Sequence, residues 1–222
     1  MRTRLVLFDL DGTLVDSAPD IADAANAALR DGGFAARPEA EIRAFIGNGA
    51  ERLIHRCLTG TREGVAEAAL HAATLRDFQR HYAVCLVART RPFPGVIDTL
   101  EALAARDVLL GCVTNKPARF TLPLLEGLGL AHYFQVTYAG DTLPVKKPDP
   151  APLLAAARSC RAQPADTVMV GDSMTDFAAA RAAGMRIFCV GYGYAAGVDL
   201  AAQNPDAYVR HMPDILPVLA RD

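Results

Sequence analysis

Strand-length apolar runs constrain the fold of this chain more than any other feature: Leu5–Leu10, Val108–Val113, Val136–Ala139, Thr167–Val170, Arg186–Val190 and a weaker Ala207–Val209. Most of them are apolar at successive positions, the pattern of strands covered on both faces in a parallel sheet. Helix-period segments separate them, at Pro94–Arg106, Ala118–Leu128, Ala151–Arg161, Ser173–Ala183 and Pro213–Ala220. Strand alternating with helix builds right-handed βαβ units, so an α/β fold with a doubly wound, mainly parallel sheet is expected. A hydrophobic content of 51% over 222 residues is ample for such a core.

One stretch breaks the alternation. From Ser17 to Arg89 the signals are helical only: IADAANAALRDGG and EAEIRAFIGNG each stop at glycine, AERLIHRCL follows, and a long segment runs from Arg62 to Val87. In that last segment Val65, Ala68, Ala69, Ala72, Leu75, Phe78 and Tyr82 keep close to a spacing of three or four, the apolar stripe of an amphipathic helix. The prolines of RPFPG, Arg91–Gly95, bar helix continuation and return the chain to the sheet. The expected organisation is a core from residues 1–16 and 91–222, interrupted by an all-helical insertion over residues 17–90.

A formal net charge of -2 argues against a general nucleic-acid or anionic-membrane partner, since either calls for a basic face. Cys57, Cys85, Cys112, Cys160 and Cys189 are scattered singly, with no CxxC, as in proteins of a reducing cytoplasm. The apolar run at the N-terminus meets acid too early for a signal peptide, and no uncharged apolar span of about 18 residues follows. The reading is a soluble cytoplasmic protein, a monomer or homodimer, with no membrane partner.

Polar residues at the carboxyl ends of the strands carry the chemistry, because ligands of open α/β sheets bind there. The first run ends in Asp9 and Asp11, two like charges whose mutual repulsion is costly unless a cation or a reaction uses it. Side chains two apart on a strand share a side, so both can face one ligand. The second run ends in Thr114 and Asn115; the loop after the third holds Lys146 and Lys147; the fourth leads to Asp172 and, four residues on, Asp176. Oxygen ligands with no paired Cys or His suit Mg²⁺ better than Zn²⁺. An EF-hand loop would place its glycine sixth, whereas Gly12 is fourth in DLDG. A cation beside a hydroxyl, an amide and an ammonium makes a phosphate site: Thr114 and Asn115 donate to phosphoryl oxygens, and Lys147 supplies charge. The economical assignment has Asp9 attack phosphorus to form an aspartyl-phosphate while Asp11 shuttles the proton.

These residues in this order resemble the haloacid dehalogenase superfamily, whose four motifs match DLDGT (Asp9–Thr13), TN (Thr114, Asn115), KKPDP (with Lys147) and GDSMTD (Gly171–Asp176). The resemblance implies a Rossmann-like core, a helical cap inserted after the first motif, and Mg²⁺ held by the Asp9 side chain, the Asp11 backbone carbonyl and Asp172, with Asp176 assisting. Within the superfamily, DGTLVDSAPDI, GNGAERL, AGDTLPVKKPDPAPLL and GYGY are similar to the phosphoglycolate phosphatases, which implies a small phosphorylated metabolite, 2-phosphoglycolate, as substrate. The carboxylate of such a substrate wants a cation, and Arg43, Arg52, Arg56 and Arg62 lie near the Gly47–Gly49 turn.

Two other readings share the acidic pair. A sugar-phosphate mutase returns the phosphate to the sugar, and a receiver-like signalling module uses a phosphorylated Asp as a switch. A receiver has little use for a long helical insertion after its first strand, and its phosphoacceptor follows a later one. His55, His71, His81, His132 and His211 lack metal-ligand spacing and read as structural or surface residues. Tyr192 and Tyr194, flanking glycine after the fifth run, either edge the site or pack.

Overall fold

A computed structural model describes residues 3–194 and 198–220. In chain order its elements are β1 (Leu5–Phe8), β2 (Val15–Asp16), α1 (Ala18–Asp31), α2 (Glu39–Phe45), α3 (Ala50–Thr59), α4 (Ala68–Cys85), β3 (Arg91–Pro92), α5 (Val96–Ala104), β4 (Leu109–Val113), α6 (Ala118–Gly127), β5 (Val136–Tyr138), α7 (Ala151–Ser159), β6 (Thr167–Gly171), α8 (Met174–Ala182), β7 (Arg186–Val190), β8 (Ala207–Val209) and α9 (Ile215–Leu219).

Six strands form one sheet in the order β5-β4-β1-β6-β7-β8, each neighbouring pair parallel. Successive side chains of a strand point to opposite faces. In β1, Val6 and Phe8 therefore join Leu100 of α5, Leu124 of α6 and Ile215 of α9 in one buried layer. Leu5 and Leu7 join Leu153 of α7 with Ala179 and Ala180 of α8 in the other. Helices on both faces are why the strands are apolar at successive positions. The chain winds from β1 out through β4 to β5, then returns to the other side of β1 at β6. The winding reverses between β1 and β6, which opens a crevice at their carboxyl ends.

Two compact units result, one of residues 1–16 and 92–222 and one of residues 17–91. The second contains α1 to α4. Its ends are tied together by Asp20, a fully buried carboxylate in the first turn of α1. Asp20 accepts from Arg89 N at 2.9 Å, Thr90 N at 2.8 Å and the Thr90 hydroxyl at 2.7 Å.

The long helix departs from expectation in length and in phase. It starts at Ala68 and not at Arg62, because the Glu67 carboxylate takes the first free amides, Ala69 N at 2.9 Å and Leu70 N at 2.8 Å, as an N-cap. Its buried face is Thr74, Phe78 and Tyr82, whereas Ala68, Ala69 and Ala72 face solvent and Val65 is 73% exposed in the preceding loop. An alanine methyl removes little area from water, so the large side chains set the phase.

No helix among the described residues is long and apolar enough to cross a membrane. All five cysteines are free, and burial pushes the Cys57 and Cys189 thiols up to about 12, as suits small packing side chains.

Candidate functional site

At the crevice between β1 and β6 the chain leaves its first strand earlier than its apolar run suggests. Asp9 N still pairs with Val170 O at 2.9 Å, but Thr13, Leu14 and Val15 all turn their N–H groups back to the Leu10 carbonyl, at 3.3, 2.9 and 3.0 Å. Asp9 and Asp11 thus lie in a turn beyond β1, and the strand argument for a shared face does not hold. Separate lysines hold them instead. Lys147 Nζ stands 3.0 Å from Asp9 Oδ1, and Lys116 Nζ stands 2.9 Å from Asp11 Oδ1.

Asp172 and Asp176 come from the end of β6 and the first turn of α8. Asp176 is part of a capping box: its Oδ2 accepts from Ser173 Oγ at 2.6 Å and Ser173 N at 3.2 Å, and its own N–H bonds back to Ser173 Oγ at 3.3 Å. The other oxygen, Oδ1, accepts from Lys147 Nζ at 2.6 Å. Asp172 accepts from Tyr194 N at 2.6 Å and from the Thr13 hydroxyl at 3.3 Å.

Glycine makes room for this crowding. Gly12 has φ +87, and a Cβ there would lie 2.2 Å from Asp172 Oδ2; one on Gly193 would lie 2.3 Å from the same oxygen. Tyr192 and Tyr194 lock the surrounding loops, the first donating to Thr13 O at 2.8 Å and the second to Asp16 Oδ1 at 2.7 Å.

Oxygen atoms of Asp9, Asp172 and Asp176 all lie within 4.8 Å of one another. Burial raises the Asp9 carboxyl to about 7, helped by the Asp176 charge and opposed by Lys147. Asp172 is raised well above the usual range by burial and by its two neighbours. Burial alone would depress the Lys147 ammonium, yet the Asp176 and Asp9 carboxylates outweigh it and hold the group above its ordinary value. Fully ionised, these three carboxylates would carry three negative charges against the one ammonium of Lys147, and the donors are hard oxygens without His or Cys. That set fits a small hard dication such as Mg²⁺.

The remaining sequence candidates fall into place around this cluster. Thr114 is buried at the end of β4, its hydroxyl accepting from Lys116 N at 3.2 Å. Asn115 turns its Nδ2 to the Lys147 carbonyl at 2.9 Å, which supports the lysine loop, and its Oδ1 is buried without a partner. Lys147 is buried whereas Lys146 is exposed. Lys116 escaped the sequence reading, although its place directly after Thr114 and Asn115 was the available signal.

Arg43, Arg52 and Arg56, near the Gly47–Gly49 turn, have partners within their own unit. Arg56 is buried and donates to Arg62 O at 2.9 Å, Phe45 O at 2.7 Å and Asn48 Oδ1 at 2.9 Å. Arg52 pairs with Glu63 at 2.7 Å, and Arg43 lies 3.6 Å from Glu39. His55 stacks on His71 with ring centroids 3.7 Å apart, far along the chain from the acidic cluster.

A family model for haloacid dehalogenase-like hydrolases matches residues 3–184. A phosphoglycolate phosphatase of Nitrosospira multiformis is 47% identical over 206 residues, covering 93% of this chain and 91% of the relative. One of Nitrosococcus oceani is 42% identical over 217 residues, covering 98% and 96%. The crystal structure of a predicted phosphoglycolate phosphatase from Haemophilus somnus 129Pt superposes with a TM-score of 0.92 at 35% identity, over 98% of each chain. With its switch-point carboxylates and a family match over most of its length, the chain belongs to the haloacid dehalogenase-like hydrolases.

Proposed function

We propose that this protein is a Mg²⁺-dependent phosphatase of the cytoplasm that hydrolyses 2-phosphoglycolate to glycolate and phosphate through an aspartyl-phosphate. The observation that carries this reading is the buried set of Asp9, Asp172, Asp176 and Lys147 with the Asp11–Lys116 pair beside it. The named activity of relatives at 42–47% identity supports the substrate. The five free cysteines support the compartment.

The side chains of Asp9, Asp172 and Asp176, with the Asp11 carbonyl, would hold Mg²⁺, which when bound neutralises charge between the carboxylate nucleophile and the phosphoryl oxygens. Asp9 attacks phosphorus as the ester P–O bond breaks, and Asp11 gives its proton to the leaving oxygen. Water then attacks the aspartyl-phosphate, losing its proton to Asp11 and releasing phosphate from Asp9. Thr114 and Lys147 orient the phosphoryl oxygens and stabilise their charge. Asn115 serves by holding the Lys147 loop. Residues 17–91 are the helical cap unit inserted after the first motif.

The test is phosphate release from a panel of small phosphomonoesters including 2-phosphoglycolate. The expected outcome is that 2-phosphoglycolate leads the panel by at least tenfold in kcat/KM, and that EDTA or Asp9→Asn abolishes turnover. Comparable weak release from every ester would remove the substrate assignment. Release that persists in Asp9→Asn would remove the mechanism.

A further inference from the structure

An ester whose leaving group carries a carboxylate brings a second negative charge close to the departing oxygen. In a 2-phosphorylated carboxylic acid only one carbon separates that oxygen from the carboxyl carbon. The cation that reads the second charge has to stand near the proton donor to the leaving oxygen. Four arginines of the helical unit were the sequence candidates for it, but Arg56 spends its guanidinium on Arg62 O, Phe45 O and Asn48, and Arg52 is engaged by Glu63 and the Arg62 and Gly64 carbonyls.

Lys116 meets the geometric requirement inside the core unit. Its ammonium is 2.9 Å from Asp11 Oδ1, and its side chain is 5% exposed. The backbone behind it is pinned on both sides. Lys116 N donates to Thr114 Oγ1 at 3.2 Å, while Lys116 O accepts from Gly140 N at 2.9 Å and Thr121 Oγ1 at 3.0 Å. Pro117 follows and restricts the chain further. A lysine held in this way has little left to lose in ordering when a ligand arrives. An ammonium can also be shared between two anions, here the Asp11 carboxylate and a ligand carboxylate.

We infer that Lys116 is the specificity-determining residue for the leaving group: it holds Asp11 in place and pairs with a carboxylate on the carbon next to the ester carbon. The inference rests on the phosphatase reading above and names the group that distinguishes 2-phosphorylated carboxylic acids from neutral phosphomonoesters.

The test compares kcat/KM for 2-phosphoglycolate and for ethyl phosphate, which has the same carbon count and no carboxylate, in the wild-type protein, Lys116→Met, Lys116→Gln and Lys116→Arg, each saturated with Mg²⁺. Taking the ratio of variant to wild type for each ester cancels the different reactivities of the two alkoxides. A charge-assisted contact predicts that Lys116→Met loses roughly ten- to a hundredfold more on 2-phosphoglycolate than on ethyl phosphate, with most of the difference in KM. Lys116→Arg keeps the charge and retains most of the preference, and Lys116→Gln, which removes the charge but leaves Asp11 a hydrogen-bond donor, decides the matter if the methionine variant fails to fold.

Equal losses on both esters in Lys116→Met or Lys116→Gln, with the wild-type preference intact, would reduce Lys116 to a support for Asp11 and overturn the inference. A wild-type protein that does not distinguish the two esters would overturn it together with the substrate reading, before any variant is made.

Discussion

Gly12 shows at the scale of one residue how the site is packed. Its φ of +87 is one that side chains rarely adopt, and the space a Cβ would fill belongs to Asp172 Oδ2. Gly12→Ala is therefore expected to destabilise the protein by about 1–3 kcal/mol. It should also weaken divalent-ion binding, since Asp172 is what moves. Thermal unfolding with and without Mg²⁺ checks both effects: the midpoint falls in either condition, and the rise produced by Mg²⁺ shrinks. A full Mg²⁺ response in the variant would mean that Asp172 is not a ligand. Gly193, whose Cβ would meet the same oxygen, is expected to behave alike.

At the scale of the element, α4 separates what its composition suggests from what its packing uses. Its alanines at 68, 69 and 72 are exposed, while Thr74, Phe78 and Tyr82 are buried at intervals of four. Phe78→Ala is expected to cost about 3–5 kcal/mol, as a buried aromatic truncation does. Ala72→Glu is expected to stay within about 0.5 kcal/mol, as a surface change does. Chemical denaturation of the two variants tests the phase of the helix directly, and a reversed ranking would restore the alanine stripe. Removing the helix N-cap by Glu67→Ala is expected to lower stability by the same measurement, since Ala69 N and Leu70 N lose their acceptor. The sheet was more legible than this helix, because β1, β4 and β7 carry Val, Leu, Ile or Phe at successive positions and no choice of phase arises there.

For the molecule as a whole, the acidic cluster links stability to pH and to metal. The folded protein without a divalent ion holds the Asp9 carboxyl at about 7 against an ordinary 3.8. Between those values the folded state binds more protons than the unfolded one, so this contribution to stability is complete below the lower value and is lost as pH rises through the upper. Metal-free protein is expected to lose thermal stability from about pH 4 to about pH 7 through this group. Mg²⁺ competes with the proton, so its stabilisation should be larger at pH 8 than at pH 5 and should grow with the logarithm of its concentration. Calorimetry at the two pH values, with EDTA or with Mg²⁺, measures this, and a Mg²⁺ effect independent of pH would place the ion elsewhere.

By itself the sequence determined the alternation of strands and helices, and with it the doubly wound sheet and the strand ends where ligands bind, because these follow from periodicity along short stretches of chain. The motif order likewise singled out Asp9, Asp11, Thr114, Lys147, Asp172 and Asp176 by type and position. Only the tertiary structure decided which charge faces which: Lys147 with Asp176 across 29 residues of chain, and Lys116 with Asp11 across 105. It also decided that Asn115 holds a loop, that Gly12 and Gly193 clear space for Asp172, and which face of α4 is buried. These are contacts through space between segments brought together by the sheet, and local pattern carries no record of a partner so far along the chain.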